Sequence, residues 1–306
     1  VKKDDLIRGS IVGEVIESKN PKFSEGDYVL GSLGVQKYCV STGEDIEKCD
    51  LSLAKPELWL SGMGIPGLTA YFSLLDVNNN YIKKVKTYFE TTGSQAAVVG
   101  FRHLKSSDEK QEQSIHQYEE YLLTTAEKMK NAGSPYGYVA MGSTIVCTAK
   151  AYCAVGGMSR KKATEDFYFL QELTKFCGVH TISEILVYPS PRPISRVYLG
   201  TGFRMKQAQE GFDLNTLYYS DTAFQILKEL IDLGSNSWEI ELSILKKNTS
   251  AIHPHLTNFL LQEGIEDIWT NLQINAPSKS HFTKQFHRWF DGLKTMRLLK
   301  YFTEIV

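Results

Sequence analysis

Several features that assign a protein quickly are missing from this chain. No apolar run approaches the ~18 residues that a membrane helix needs, so no membrane span is expected. The five cysteines, Cys39, Cys49, Cys147, Cys153 and Cys177, include no close C-x-x-C pair. An odd, scattered set makes a poor disulfide framework and a poor zinc site, so reduced thiols and a cytoplasmic location are expected. Charge of one sign is not in excess: 34 Lys and Arg stand against 35 Asp and Glu, a formal net charge of −1. That excludes a general nucleic-acid surface. Asp-x-Asp does not occur. The opening VKKDDLIRGS has neither an initiator Met nor the apolar core of a signal peptide, which leaves room for a fragment.

What is present is ordinary globular material. The 306 residues are 42% apolar and 23% charged, enough for two domains or for one large domain with an appendage. Through residues 9–77, GSIVGEVIES and GDYVLGSLGVQKYCVS alternate apolar and polar positions between Gly, Asn and Pro. This is the pattern of short antiparallel strands. From about Pro66 the chain turns helical. Asn78-Asn79-Asn80 marks a join. Beyond it helix and strand alternate: helix over Asn80–Glu90, a buried strand over Ala96–Phe101, an amphipathic helix over Asp108–Ala132, a strand over Ser143–Thr148, a helix over Thr164–Phe176 and a strand over Thr181–Val187. Residues 206–306 carry helix-spaced apolar residues over Ala223–Leu233, Trp238–Lys247, Pro254–Glu263 and Phe282–Phe302. The layout expected is therefore 1–77, 78–205 and 206–306.

Within the second stretch, Gly156-Gly157 and a basic turn, Arg160-Lys161-Lys162, precede Thr164 and two acids, Glu165 and Asp166. Acids in a first helical turn stabilise the helix through its dipole, and Thr164 suits the N-cap. The same acids can also serve as a base, since a positioned carboxylate takes a proton from a weakly nucleophilic hydroxyl. Arg192 in the stiff YPSPRP loop and Arg196 could close on a phosphate, or the loop could be a surface connector. His103 and His180 are isolated and read as packed or surface histidines.

Two resemblances follow from particular residues. GEVIES, EGDYVLG, YCVS and LSGMGIPGLTAYFSLLDV are similar to the zinc-independent medium-chain reductases, the alkenal and prostaglandin reductases. That implies the end of a GroES-like barrel and a relationship to NADP-dependent oxidoreductases. The following stretch, NNNYIKKVKTYFETTGSQAAVVGF, carries no glycine-rich turn for a dinucleotide pyrophosphate, so the resemblance implies a piece without its cofactor domain.

Residues 80–300 resemble family 2-like glycosyltransferases in NYIKKVKTYF, in the run from Gly133 to Leu173, in VYPSPRPISRVYLGTG and in FHRWFDGLKTMRLL. This implies an α/β class: an incomplete GT-A-like α/β domain with an N-terminal β-rich module and a helical C-terminal region. It further implies inverting transfer from a nucleotide-sugar to a sugar or lipid acceptor, with the donor-binding half missing. Asp166 would be the base and Glu165 its partner, with Gly156 and Gly157 bordering the acceptor. Asp76 of Asp76-Val77-Asn78 would be a weakened ligand for Mg or Mn. Gln285-Phe286-His287-Arg288-Trp289 matches Q-x-x-R-W, which places Arg288 and Trp289 at the substrate. An amphipathic helix burying Phe282, Phe286, Trp289 and Phe290 explains the same residues. A non-catalytic chimera of the two families is the remaining reading.

Overall fold

The computed structural model describes residues 9–60, 79–158, 163–193 and 198–305. The chain divides into two compact units, residues 1–86 and 87–306.

In the first unit the alternating segments form three short strands, β1 (Ile11–Glu14), β2 (Tyr28–Gly31) and β3 (Ile46–Lys48). They pair antiparallel in the order β1-β2-β3, with Val12 opposite Leu30 and Gly31 opposite Ile46. The connection from β1 ends in a turn just before β2, where Asp27 accepts from the Ser24 amide at 2.6 Å and Gly26 takes φ 88°. Gly31 is required by crowding: a Cβ there would stand 2.7 Å from the Ile46 side chain and 2.9 Å from the Asp45 carbonyl. A short helix, α1 (Pro56–Trp59), opens on proline, whose missing N–H costs nothing at a helix start.

Helix α2 (Asn79–Thr92) leads into the second unit. There β4 (Ala96–Phe101) lies between β5 (Ile145–Cys147), antiparallel to it, and β6 (His180–Val187), parallel to it. The expected strand at Ser143–Thr148 is shorter because Gly142–Thr144 close a 3-10 turn first. Strand β4 reads as a continuous apolar run because both its faces are covered. At Gly100 the β4–β6 register shifts, and a Cβ would meet the Glu184 carbonyl oxygen at 2.6 Å. One face of the sheet packs Ala96 and Val98 against Ala151, Phe169, Leu170 and Leu173. These come from helices α4 (Ala149–Ala154) and α5 (Glu165–Cys177).

The amphipathic helix α3 (Glu109–Asn131) starts where expected, with Asp108 accepting from the Gln111 amide at 2.8 Å. Its stripe buries Ile115, Tyr118 and Met129. The last hundred residues are helical: α6 (Thr201–Gln209), α7 (Asp221–Ser235), α8 (Leu242–Ile252), α9 (Leu256–Gln262), α10 (Ile265–Ile274), α11 (Lys279–Trp289) and α12 (Gly292–Ile305). Their core is aromatic, built on Trp269, Phe282, Phe286, Phe290 and Phe302, and it takes in Met129, Ala132 and Tyr136 from the end of α3 and beyond.

Three helical expectations need correction. Residues Trp238–Glu241 are not helical, because α10 captures their backbone: Trp269 Nε1 donates to the Ile240 carbonyl at 2.9 Å and Gln273 Nε2 to that of Ser237 at 2.6 Å. The single helix expected over Phe282–Phe302 is two. It breaks at Phe290-Asp291, where Asp291 Oδ1 accepts from the Lys294 amide and starts α12. Thr164 does not cap α5: it sits in the left-handed region at φ 66°, and its hydroxyl bonds the Ala163 carbonyl instead of a helix amide. The α/β class with a small N-terminal sheet and a helical C-terminal region holds. Nothing in the three-stranded sheet of the second unit supports the GT-A assignment.

Candidate functional site

The acidic pair begins α5. Burial holds the Asp166 carboxyl above its ordinary range, against hydrogen bonds from the Phe167 and Gly142 amides that pull the other way, while neighbouring Glu165 adds to the rise. Gly142 stands close enough that a Cβ there would lie 3.8 Å from Asp166 Oδ2. The carboxylate is thus fixed between the start of α5 and the turn before β5.

Asp166 has company that the sequence analysis did not foresee. Its charge acts on Tyr118, and so does the opposite charge of Arg204. Burial pushes the Tyr118 phenol up to about 12, so it stays a neutral hydroxyl. Tyr118 stacks on Tyr121 at 6.0 Å between ring centroids, and Tyr121 meets the Tyr218 ring edge-on at 5.6 Å. The Arg204 guanidinium lies 5.7 Å from the ring centres of Phe203 and Phe212 and donates to Gln207 Oε1 at 2.8 Å. A half-buried acid on α5, a neutral phenol on α3 and a cation on α6 therefore feel one another's charge, and α3 packs on α6. Such a set can accept a proton and steady the resulting charge. Arg204 belongs to a helix the apolar pattern did not show, and Tyr118 read only as core.

The other candidate residues are dispersed. Gly156 and Gly157 adopt φ 77° and 72°, and a Cβ on Gly157 would strike the Tyr152 ring at 2.9 Å. The turn therefore needs glycine for its own backbone and for Tyr152. Arg192 is exposed. Arg288 donates from Nε and Nη2 to the Lys175 carbonyl, at 3.3 and 3.0 Å, and so closes the C-terminal turn of α5. Trp289 packs on the aromatic core, and Lys294 Nζ sits 5.7 Å from its ring centre. Asp76, Arg196 and the basic turn Arg160–Lys162 lie outside the described residues. Among the described residues no three His, Cys, Asp or Glu side chains gather as metal ligands, so the Mg or Mn site gains no support. His180 is exposed.

His103 is not isolated. Its ring is 1% exposed, and both its backbone amide and its Nδ1 bond Glu119 Oε1, the latter at 2.6 Å. Its Nε2 lies 3.3 Å from the Thr201 hydroxyl. The pair ties the end of β4 to α3 and α6. Helical spacing holds the signal: Glu119 falls four residues after buried Ile115, on the inward stripe.

At the β4–α3 turn a dinucleotide pyrophosphate would meet a helix N-terminus. The turn, Arg102–Asp108, has no glycine. Its amides are already taken by carboxylates: Asp108 holds the Gln111 amide, and Glu112 holds that of Ser106 at 2.6 Å. A pyrophosphate does not fit there. The chain does contain one G-x-G-x-x-G spacing, Gly62-Met63-Gly64-Ile65-Pro66-Gly67, within the reductase-like stretch and outside the described residues.

Comparison with known proteins finds a family match at the start of the chain. Residues 1–49 match the family described as the N-terminal domain of oxidoreductase. The chain is 37% identical over 92 residues to the NADPH-dependent curcumin reductase of Escherichia coli (strain K12), covering 30% of this chain and 27% of that protein. It is 41% identical over 85 residues to Prostaglandin reductase 1 of Bos taurus, covering 25% and 24%. To Prostaglandin reductase 1 of Oryctolagus cuniculus it is 34% identical over 108 residues, covering 33% and 30%. The chain thus spans between 24% and 30% of the length of these relatives. No solved structure matches significantly. These findings overturn the glycosyltransferase reading. The similar proteins are reductases, so the nucleotide-sugar donor and the sugar or lipid acceptor fall with it. The medium-chain reductase resemblance is supported. No helix among the described residues is long and apolar enough to cross a membrane.

Proposed function

We propose that the chain acts as an NADP-dependent oxidoreductase of the alkenal and prostaglandin reductase type, with the first unit as the part that carries this role. The observation behind the reading is the family match over residues 1–49, together with the antiparallel β1-β2-β3 sheet formed by the same stretch. NADPH supplies a hydride when bound. The chain's own contribution is a barrel wall beside the substrate. The β4–α3 turn takes no part in cofactor binding. Titration of the whole chain with NADPH, followed by NADPH oxidation in the presence of curcumin or an alkenal, tests the reading. Saturable binding with turnover is the expected result. No saturable binding at about 100 μM NADPH, far above the low-micromolar affinity of a working cofactor site, would overturn it.

A second centre is favoured by one observation, the half-buried carboxyl of Asp166 held between the Phe167 and Gly142 amides, with its pKa raised by burial. We place proton transfer there, with Asp166 as acceptor and Glu165 beside it. Arg192 and Arg196 remain candidates for substrate contact, and residues 78–205 and 206–306 remain candidate domains.

A further inference from the structure

The second unit holds a partly open pocket with a volume of about 130 Å³ between α3, α5, α12 and the segment after α3. Its wall is mostly apolar and strongly aromatic: Tyr121, Tyr136, Tyr138 and Phe167, with Met129 and Met296. Three tyrosines would ordinarily make a wall polar. Here two of the hydroxyls are engaged elsewhere. Tyr136 donates to the His287 carbonyl at 2.8 Å, Tyr138 pairs with the Thr174 hydroxyl at 2.9 Å, and the Tyr121 ring packs against that of Tyr219 at 6.4 Å between centroids. The rings thus turn their apolar parts to the space, and Thr125 leaves one side-chain hydroxyl on its lining. A water needs two to four polar partners, so a wall of this kind does not hold ordered water well. Close packing is the rule in protein interiors, and a gap this size loses the dispersion energy of its lining. An apolar cavity of about 150 Å³ takes up benzene, which sets the scale of what fits.

We propose that this cavity is a binding site for a neutral, single-ring aromatic molecule, or for the aromatic end of a larger one. The volume admits one ring. Tyr and Phe rings offer edge-to-face and offset contacts, and the two methionine sulfurs add polarizable contacts to an aromatic guest. No charged side chain lines the space, so a charged ring substituent is excluded. The site does not depend on the reductase reading and lies wholly within residues 87–306.

The methionines make the proposal directly testable. The chain has six, and among the described residues Met129 and Met296 are the ones that line the cavity. The whole protein, labelled with carbon-13 at the methionine methyls, is titrated with toluene and followed by NMR. Ring-current shifts should appear at two methyls, saturate together and spare Met158 and Met205. Replacement of each methionine in turn assigns the signals. Phenol, whose hydroxyl finds few open partners, should bind at least about threefold more weakly than toluene. Ala126→Phe fills the space from α3 and should weaken toluene binding at least tenfold. Leu122→Ala enlarges it and should shift preference towards naphthalene by a similar factor. Absence of saturating shifts in the unmodified protein up to the solubility limit of toluene overturns the proposal. Shifts of equal size at all methionines, the mark of surface partitioning, overturn it as well.

Discussion

The two units bury their side chains very differently. In the first, the buried apolar residues among those described are Val29 and Cys49, while Val40 is 97% exposed and Tyr38, Leu53 and Ile16 are each more than 60% exposed. In the second, whole layers of aromatic side chains are closed from water. The family match lies in the loosely buried unit. A three-stranded sheet with strands of three or four residues cannot close a core of its own, so its apolar faces wait for further structure. The second unit has the opposite character: a sufficient core, which takes in Tyr118 with Ile115, Met205 and Leu214. The segment matched to known proteins falls in the first unit, whereas Asp166 and Tyr118, whose pKa values burial raises, fall in the second.

The sharpest way to break the comparison is to remove an anchor of the better core. Phe286 is 1% exposed, stacks on Phe290 at 6.1 Å and faces Gly234, where a Cβ would lie 2.1 Å from its ring. Phe286→Ala should destabilise the second unit by about 3–5 kcal/mol in urea unfolding. Amide exchange in β4 should accelerate accordingly, while exchange in β2 stays unchanged. A matching acceleration in β2 would show that the first unit's order derives from the second.

A smaller loss should follow at the end of β4. Glu119→Leu leaves the His103 amide and Nδ1 without their acceptor in a buried place. A cost of about 2–3 kcal/mol is expected by the same measurement. A cost below about 0.5 kcal/mol would mean that water reaches the pair.

In the first unit the corresponding substitution is Val29→Ala in β2. Two methyl groups lost from a place 8% exposed should cost about 1–1.5 kcal/mol, read as faster exchange in β1 and β2 alone. An effect as large as that of Phe286→Ala would erase the contrast between the units.

Local pattern made a good part of this architecture legible. Ala96–Phe101 announces a buried strand because every residue is small or apolar, and Asp108 announces the start of α3 through its side chain. The misses share one cause, tertiary bonds that sequence order does not display. Trp269 and Gln273 pull residues Ser237–Ile240 out of helical form from some thirty positions away. The apolar spacing of α11 and α12 runs on through the break at Phe290, so periodicity alone joins them. At the site, Glu165-Asp166 is visible as an acidic helix start. Tyr118 and Arg204 reach it only through the fold. The chemistry attached to the pair came from the glycosyltransferase resemblance, which the comparisons did not support.

The smallest predicted effect contrasts an acid from each unit, and its sign is opposite in the two. Asp166 has a folded pKa raised above its ordinary 3.8, chiefly by burial. Its stabilising contribution is complete below pH 3.8 and is lost as pH rises through the folded value, so at neutral pH the ionised carboxylate is a net cost to the fold. Asp166→Asn should therefore make the second unit more stable at pH 7, by less than about 1 kcal/mol because solvent screens a half-exposed group. That gain should vanish as pH falls towards 3.8. Partly exposed Asp27 has a pKa lowered chiefly by its hydrogen bond from Lys48, 2.6 Å away. Its contribution is present above pH 3.8 and is lost as pH falls through the folded value, so Asp27→Asn should weaken the first unit at pH 7 and not in acid. Urea unfolding of both variants between pH 3 and 8 reads the two signs. Loss of stability in Asp166→Asn at pH 7 would mean that the Phe167 and Gly142 amides outweigh burial. The carboxylate would then be a structural cap, and the case for chemistry at α5 would fall with it.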